Sequence, residues 1–157
     1  MTYTIREMKN SEFGRLDDFL YEAIFIPKGM EKPDKDIIKR PELQLYVKDF
    51  GSQFGDFCLV AEIDQQLVGA VWSRIMDDYG HINDDTPSLS ISLFEDYRGQ
   101  GIGTALMKEM LTLLKTSGFK AASLSVQKAN YAVKLYRKLG FGIYSEKDEE
   151  LIMVVEL

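Results

Sequence analysis

The stretch Ile91-Ser-Leu-Phe-Glu-Asp-Tyr-Arg98-Gly-Gln-Gly101-Ile-Gly-Thr-Ala-Leu106 decides how this chain is read. Leu89, Ile91 and Leu93 alternate with Ser88, Ser90 and Ser92, the period of a half-buried strand. Gly99, Gly101 and Gly103 follow. An apolar stripe of Ile102, Leu106, Met110, Leu113 and Leu114 then runs at helical spacing to Gly118. A strand that turns through glycines into a helix is either a tight packing turn or a cradle for a phosphate. In a cradle the glycines admit a ligand close to the backbone, while the helix start offers unpaired N–H groups and the positive dipole end. Two nucleotide folds are excluded. A P-loop closes on Gly-Lys-Ser/Thr, whereas Gly103 is followed by Thr104 and Ala105. A dinucleotide fold expects an acid at the end of the next strand, and Ala121 to Val126 ends in Gln127-Lys128.

Working outward, Thr2 to Ile5 reads as a first strand, and Asn10 or Ser11 caps a helix with Phe13, Leu16, Leu20, Ala23 and Ile24 on one stripe. Pro27, Gly29 and Pro33 break the chain. Short helical pieces follow over 36–40 and from Glu42, with Pro41 suited to a first turn. From Phe57 the period becomes two, giving strands over 57–63 and 67–75 and later over 88–93. Ala121 to Val126 is a strand, Ala129 to Leu139 a helix, and 141–145 and 151–157 are closing strands. The order β-α-α-β-β-β-α-β-α-β-β, with no repeat or linker, predicts one domain over 1–157 of mixed α/β (α+β) class, helices packed on a sheet.

Composition narrows the function. The chain has 157 residues, net charge −6, one Cys and one His. Such a length folds as one ordinary domain. An acidic surface argues against nucleic acid and anionic membranes as partners. A single Cys precludes an intrachain disulfide framework, and the N-terminus lacks an apolar signal segment, so a cytoplasmic setting is expected.

Two motifs together resemble those of the GNAT N-acetyltransferase superfamily. Arg98, Gly101 and Gly103 stand where that family's Arg/Gln-x-x-Gly-x-Gly/Ala signature requires them, and Asn130-Tyr-Ala-Val-Lys-Leu-Tyr136-Arg-Lys-Leu-Gly-Phe141 is similar to its second hallmark. The resemblance implies a mostly antiparallel, twisted sheet of about seven strands flanked by about four helices. It implies an acetyl-CoA-dependent N-acetyltransferase that moves an acetyl or longer acyl group to a primary amine of a small molecule or peptide, by direct attack in a ternary complex. Backbone groups of Leu93 and Phe94 are expected to meet the pantetheine arm, and amides of Arg98, Gly99, Gln100, Gly101, Ile102, Gly103 and Thr104 to hold the pyrophosphate. Asn130 is expected either to contact the cofactor or to cap its helix, and Tyr136, otherwise a core aromatic, to protonate the departing thiolate. No metal is implied, and a homodimer is compatible with the family.

The proton acceptor stays open. A free alkylamine has a pKa near ~10.4 and must lose a proton before attack. The fourth strand, where some relatives carry an acid, reads Pro87-Ser-Leu-Ser-Ile91 here. Asp84, Asp85, His81, Glu62 and a water chain are the candidates. The loop Asp77 to Asp85 is either a solvated loop or a border of the acceptor site that draws in an ammonium. Lys128, Lys134, Arg137 and Lys138 form a basic cluster that is either a solvated helix face or a partner for the cofactor's 3′-phosphate. Tyr21 and Phe25 either wall a pocket or pack on the sheet. A Cys58–His81 nucleophile pair lacks a third supporting group. Alternative functions on the same fold are a non-catalytic acyl-CoA sensor and a protein N-terminal or lysine acetyltransferase.

Overall fold

The computed structural model describes residues 2–76 and 81–157. Asp77 and Asp78, two of the acids expected to border the acceptor site, lie outside the described residues. Among the described residues seven strands form one sheet in the order β1-β2-β3-β4-β5-β7-β6. They are β1 Thr4–Glu7, β2 Phe57–Ile63, β3 Gln66–Arg74, β4 Ser88–Leu93, β5 Ala121–Gln127, β6 Gly142–Lys147 and β7 Glu150–Glu156. Neighbours pair antiparallel except β4 and β5. The helices are α1 Leu16–Glu22, α2 Pro41–Gln44, α3 Ile102–Thr116 and α4 Ala132–Lys138. This is the mixed, mostly antiparallel architecture the element order and the resemblance led to.

Each face of the sheet carries its own core. On one, Ile102, Leu106, Met107, Met110 and Leu114 of α3 and Tyr136 of α4 pack on Leu59, Val71, Leu124 and Met153. On the other, Leu16, Phe19 and Leu20 of α1 with Val47 and Phe50 cover Cys58, Val60, Ala70 and Trp72. Burial on both sides corrects the half-buried reading of β4. The Cys58 and Val60 face of β2 lies under α1, and Ser88 and Ser92 of β4 are themselves buried. Ser92 meets its hydrogen-bonding need by donating to Phe19 C=O, 2.6 Å away, which ties α1 to β4. The first helix also differs from expectation, because Asn10–Arg15 wind as a 3₁₀ helix before α1 begins.

The functional consequence lies between β4 and β5. Their described residues run parallel and pair at a single point, Ser88 with Ser123, after which the strands part. Phe94 N–H donates to Val68 C=O, which fixes the phase of the β3–β4 ladder. Alternate residues therefore bond to β3, and the N–H groups of Ile91 and Leu93 point the other way, into the gap. A sheet opened in its middle exposes backbone donors that would otherwise be paired.

Candidate active site

Two chambers meet at this gap. One, of about 640 Å³, is lined by Ile24, Glu42, Tyr46, Ser90, Gln127 and Glu150 among others. The other, of about 540 Å³, runs along Tyr21, Leu93, Arg98, Gly99, Gly101 and Thr104. Phe25, Ile91, Asn130 and Tyr136 line both. The structure thus brings the glycine turn, the parted strand and the second motif to one place.

The glycine turn of this chamber offers backbone donors. Gly99 and Gly101 adopt φ of 73° and 86°, the left-handed region that favours glycine, and a Cβ on either would face open space. Gly101 caps α3, whose first internal bond runs from Ala105 N–H to Gly101 C=O. The N–H groups of Ile102, Gly103 and Thr104 precede that bond and have no helical partner. Arg98 behaves differently from its neighbours. Its N–H donates to Glu95 C=O, Nε donates to Leu93 C=O at 2.9 Å, and Nη2 pairs with Glu22 at 2.9 Å. Arg98 therefore braces the turn against β4 and α1 instead of offering an amide. The expectation for Phe94 also changes, since its N–H is held by Val68 and its C=O accepts from Tyr97 N–H. Ile91, absent from the sequence-derived set, takes its place as a gap-facing strand residue alongside Leu93.

At the junction, Tyr136 is 8% exposed and packs edge-on against Phe141. Burial pushes its phenol up to about 12, so it holds its proton at any working pH. Asn130 Oδ1 accepts from Ala132 N–H at 2.9 Å in the turn that leads into α4, whose N-cap position is Tyr131, and its amide NH₂ is left for the chambers it lines. Tyr21 and Phe25 do line the glycine chamber, and Tyr21 is held there by its hydroxyl donating to Pro33 C=O at 2.5 Å.

The candidate bases lie elsewhere. Glu62 is held by Arg6 at 2.6 Å, His81 and Asp84 approach one another at 3.7 Å, and neither they nor Asp85 line a chamber. The carboxylates that do line the larger chamber are Glu42 and Glu150, which arrive from α2 and the start of β7. Sequence reasoning missed both, because nothing local marks a residue whose place depends on distant segments converging. Cys58 is buried beside Met8 with its thiol pushed well above the ordinary range by desolvation, which leaves it inert as a nucleophile. Lys128 pairs with Glu146 at 2.5 Å, while Lys134, Arg137 and Lys138 are exposed on α4. Among the described residues no cluster of His, Cys, Asp or Glu is placed to hold a metal ion, and no helix is long and apolar enough to cross a membrane.

Comparison with known proteins agrees with this arrangement. Residues 19–141 match the model of the acetyltransferase (GNAT) family, and the chain belongs to that family. It is 30% identical to an N-alpha-acetyltransferase of Saccharolobus solfataricus over 69% of this chain and 71% of that protein. It is 29% identical to N-acetyltransferase 8B of Homo sapiens over 68% of this chain, a match that spans 47% of the human protein. In fold it is similar to PaiA N-acetyltransferase from Thermoplasma acidophilum in complex with coenzyme A, with a TM-score of 0.74, 20% identity and full coverage of both chains.

Proposed function

We propose that the protein, acting as one domain over 1–157 in the cytoplasm, transfers an acetyl group from acetyl-CoA to a primary amine by direct attack in a ternary complex. The observation that carries this reading is the junction of two chambers at the β4–β5 parting, where Ile91, Asn130 and Tyr136 line both. The glycine chamber suits a polyphosphate, because its unpaired amides and empty Cβ positions leave room for close backbone approach. Gly99 to Thr104 would hold the pyrophosphate, and Ile91 and Leu93 the pantetheine arm. Acetyl-CoA supplies an activated thioester, and the remaining chemistry falls to the chain. Gap-facing N–H groups of β4 meet the negative charge that grows on the carbonyl oxygen. Tyr136 donates its phenolic proton to the departing thiolate. The larger chamber, with two carboxylates, receives the amine, and its proton leaves through them or through water.

Family relatives named for N-alpha acetylation support a peptide N-terminus as one acceptor class, beside small amines. Thiol release from acetyl-CoA across a panel of amines and peptides tests the reading. Turnover of at least one acceptor is the expected result. Tight CoA binding with no acceptor turned over would instead favour a non-catalytic acyl-CoA sensor.

A further inference from the structure

We propose that Glu150, oriented by Gln127, is the specificity-determining residue that selects a cationic acceptor. The proposal rests on the acetyl-transfer reading above. Gln127 ends β5 and Glu150 begins β7, and the two are register partners. The Gln127 amide donates from Nε2 to Glu150 Oε1 at 2.9 Å. A neutral donor fixes the carboxylate without cancelling its charge. Both residues are half-buried, where attraction is less screened than in bulk water.

The surroundings make Glu150 the larger chamber's anchor for positive charge. No Lys, Arg or His is found among the described residues lining that chamber. Lys128, one residue beyond Gln127, is engaged by Glu146. Lys147, opposite Glu150 on β6, is exposed, and no ion pair joins the two among the described residues. Glu42, the chamber's other carboxylate, is exposed on α2 and so is the weaker attractor. An alkylamine arrives as an ammonium at neutral pH. Glu150 takes that cation from water and places it in the chamber that Tyr136 also lines. Neutral or acidic acceptors gain nothing there, and an anionic one is repelled.

The test compares wild type with Glu150→Gln, Glu150→Asp and Gln127→Ala. The acceptors are 1,6-diaminohexane, phenethylamine and a hexapeptide with a free N-terminus, each with acetyl-CoA varied separately. A charge-assisted hydrogen bond is worth about 1.5–3 kcal/mol, so Glu150→Gln is expected to raise acceptor KM by roughly 10-fold or more while KM for acetyl-CoA stays unchanged. Glu150→Asp keeps the charge and recovers part of the loss, and Gln127→Ala shows a smaller rise. High salt raises acceptor KM in wild type but not in Glu150→Gln. An active Glu150→Gln variant with unchanged acceptor KM, or one in which both KM values rise alike, overturns the assignment alone. A wild-type protein that binds CoA but acetylates none of the amines overturns the transfer reading together with this one.

Discussion

Tyr136 shows how burial shapes chemistry at one residue. The side chain is buried, and desolvation alone raises its pKa to about 12. A phenol that stays neutral is a competent proton donor throughout the range in which the amine loses its proton. The leaving thiol, with a pKa near ~8.5, needs only modest help. Tyr136→Phe is therefore expected to lower kcat by roughly 100-fold, the low end for acid catalysis, with little change in either KM. The rate of the wild-type enzyme should rise with pH as amine is freed, with no falling limb from Tyr136 below about pH 10, since its own proton is lost only near pH 12. The sign for stability is the same. The folded pKa exceeds the unfolded value of about 10, so the contribution is intact below pH 10 and is lost as pH rises through about 12. Alkaline unfolding followed by circular dichroism should lack that component in Tyr136→Phe. An unchanged kcat in Tyr136→Phe would remove the acid role.

Among the elements, α3 and its glycine turn carry the proposed cofactor side. A methyl at Gly101 meets no atom, so its effect comes from the φ of 86° that an L-residue adopts at a cost of about 1–2 kcal/mol. Gly101→Ala is expected to lower stability by that amount and to weaken CoA by roughly 10-fold, because the turn relaxes toward a conformation that re-aims the first amides of α3. Isothermal calorimetry with CoA and a thermal melt measure the two effects, and unchanged CoA affinity would detach the turn from binding. This element was legible in the sequence, since period-two alternation, glycines and a 3.6-residue stripe are local signals. What escaped was non-local. That Ile91 rather than Phe94 faces the gap follows from register with β3 and the parting from β5. That Ser92 is buried depends on α1 crossing its face, and Ser88 is buried where β4 meets β5 at Ser123. The acids of the Asp77 to Asp85 loop drew attention by number, yet Glu42 and Glu150 line the chamber by topology.

Across the whole molecule, the larger chamber depends on a buried ion pair that no motif announces. Arg74 on β3 is 1% exposed, with Nε and Nη2 bidentate to Asp56 at 2.9 Å each. Its Nη1 donates to Leu45 and Lys48 C=O, its guanidinium stacks 5.3 Å from the Phe50 ring centre, and Trp72 Nε1 donates to Tyr46 C=O. Asp56 also accepts from Gly51 and Gln53 N–H. The carbonyls just beyond α2 are thus caught by donors from the sheet, which holds Glu42, Leu43, Leu45 and Tyr46 as the chamber wall. Removing Arg74 leaves the buried Asp56 carboxylate without its counter-charge and the Leu45 and Lys48 carbonyls without their guanidinium donor. Arg74→Met is expected to cost about 3–5 kcal/mol, which lowers Tm by on the order of 10 °C for a domain of this size. Pairing it with Asp56→Leu should return much of that stability, because an apolar pair leaves no uncompensated charge. The double variant separates folding from wall position. With the charge problem gone but the Leu45 and Lys48 carbonyls released, acceptor KM should stay raised while CoA affinity, which the proposed function assigns to the glycine chamber, matches that of wild type. Recovery of both together would mean that the clamp serves stability alone.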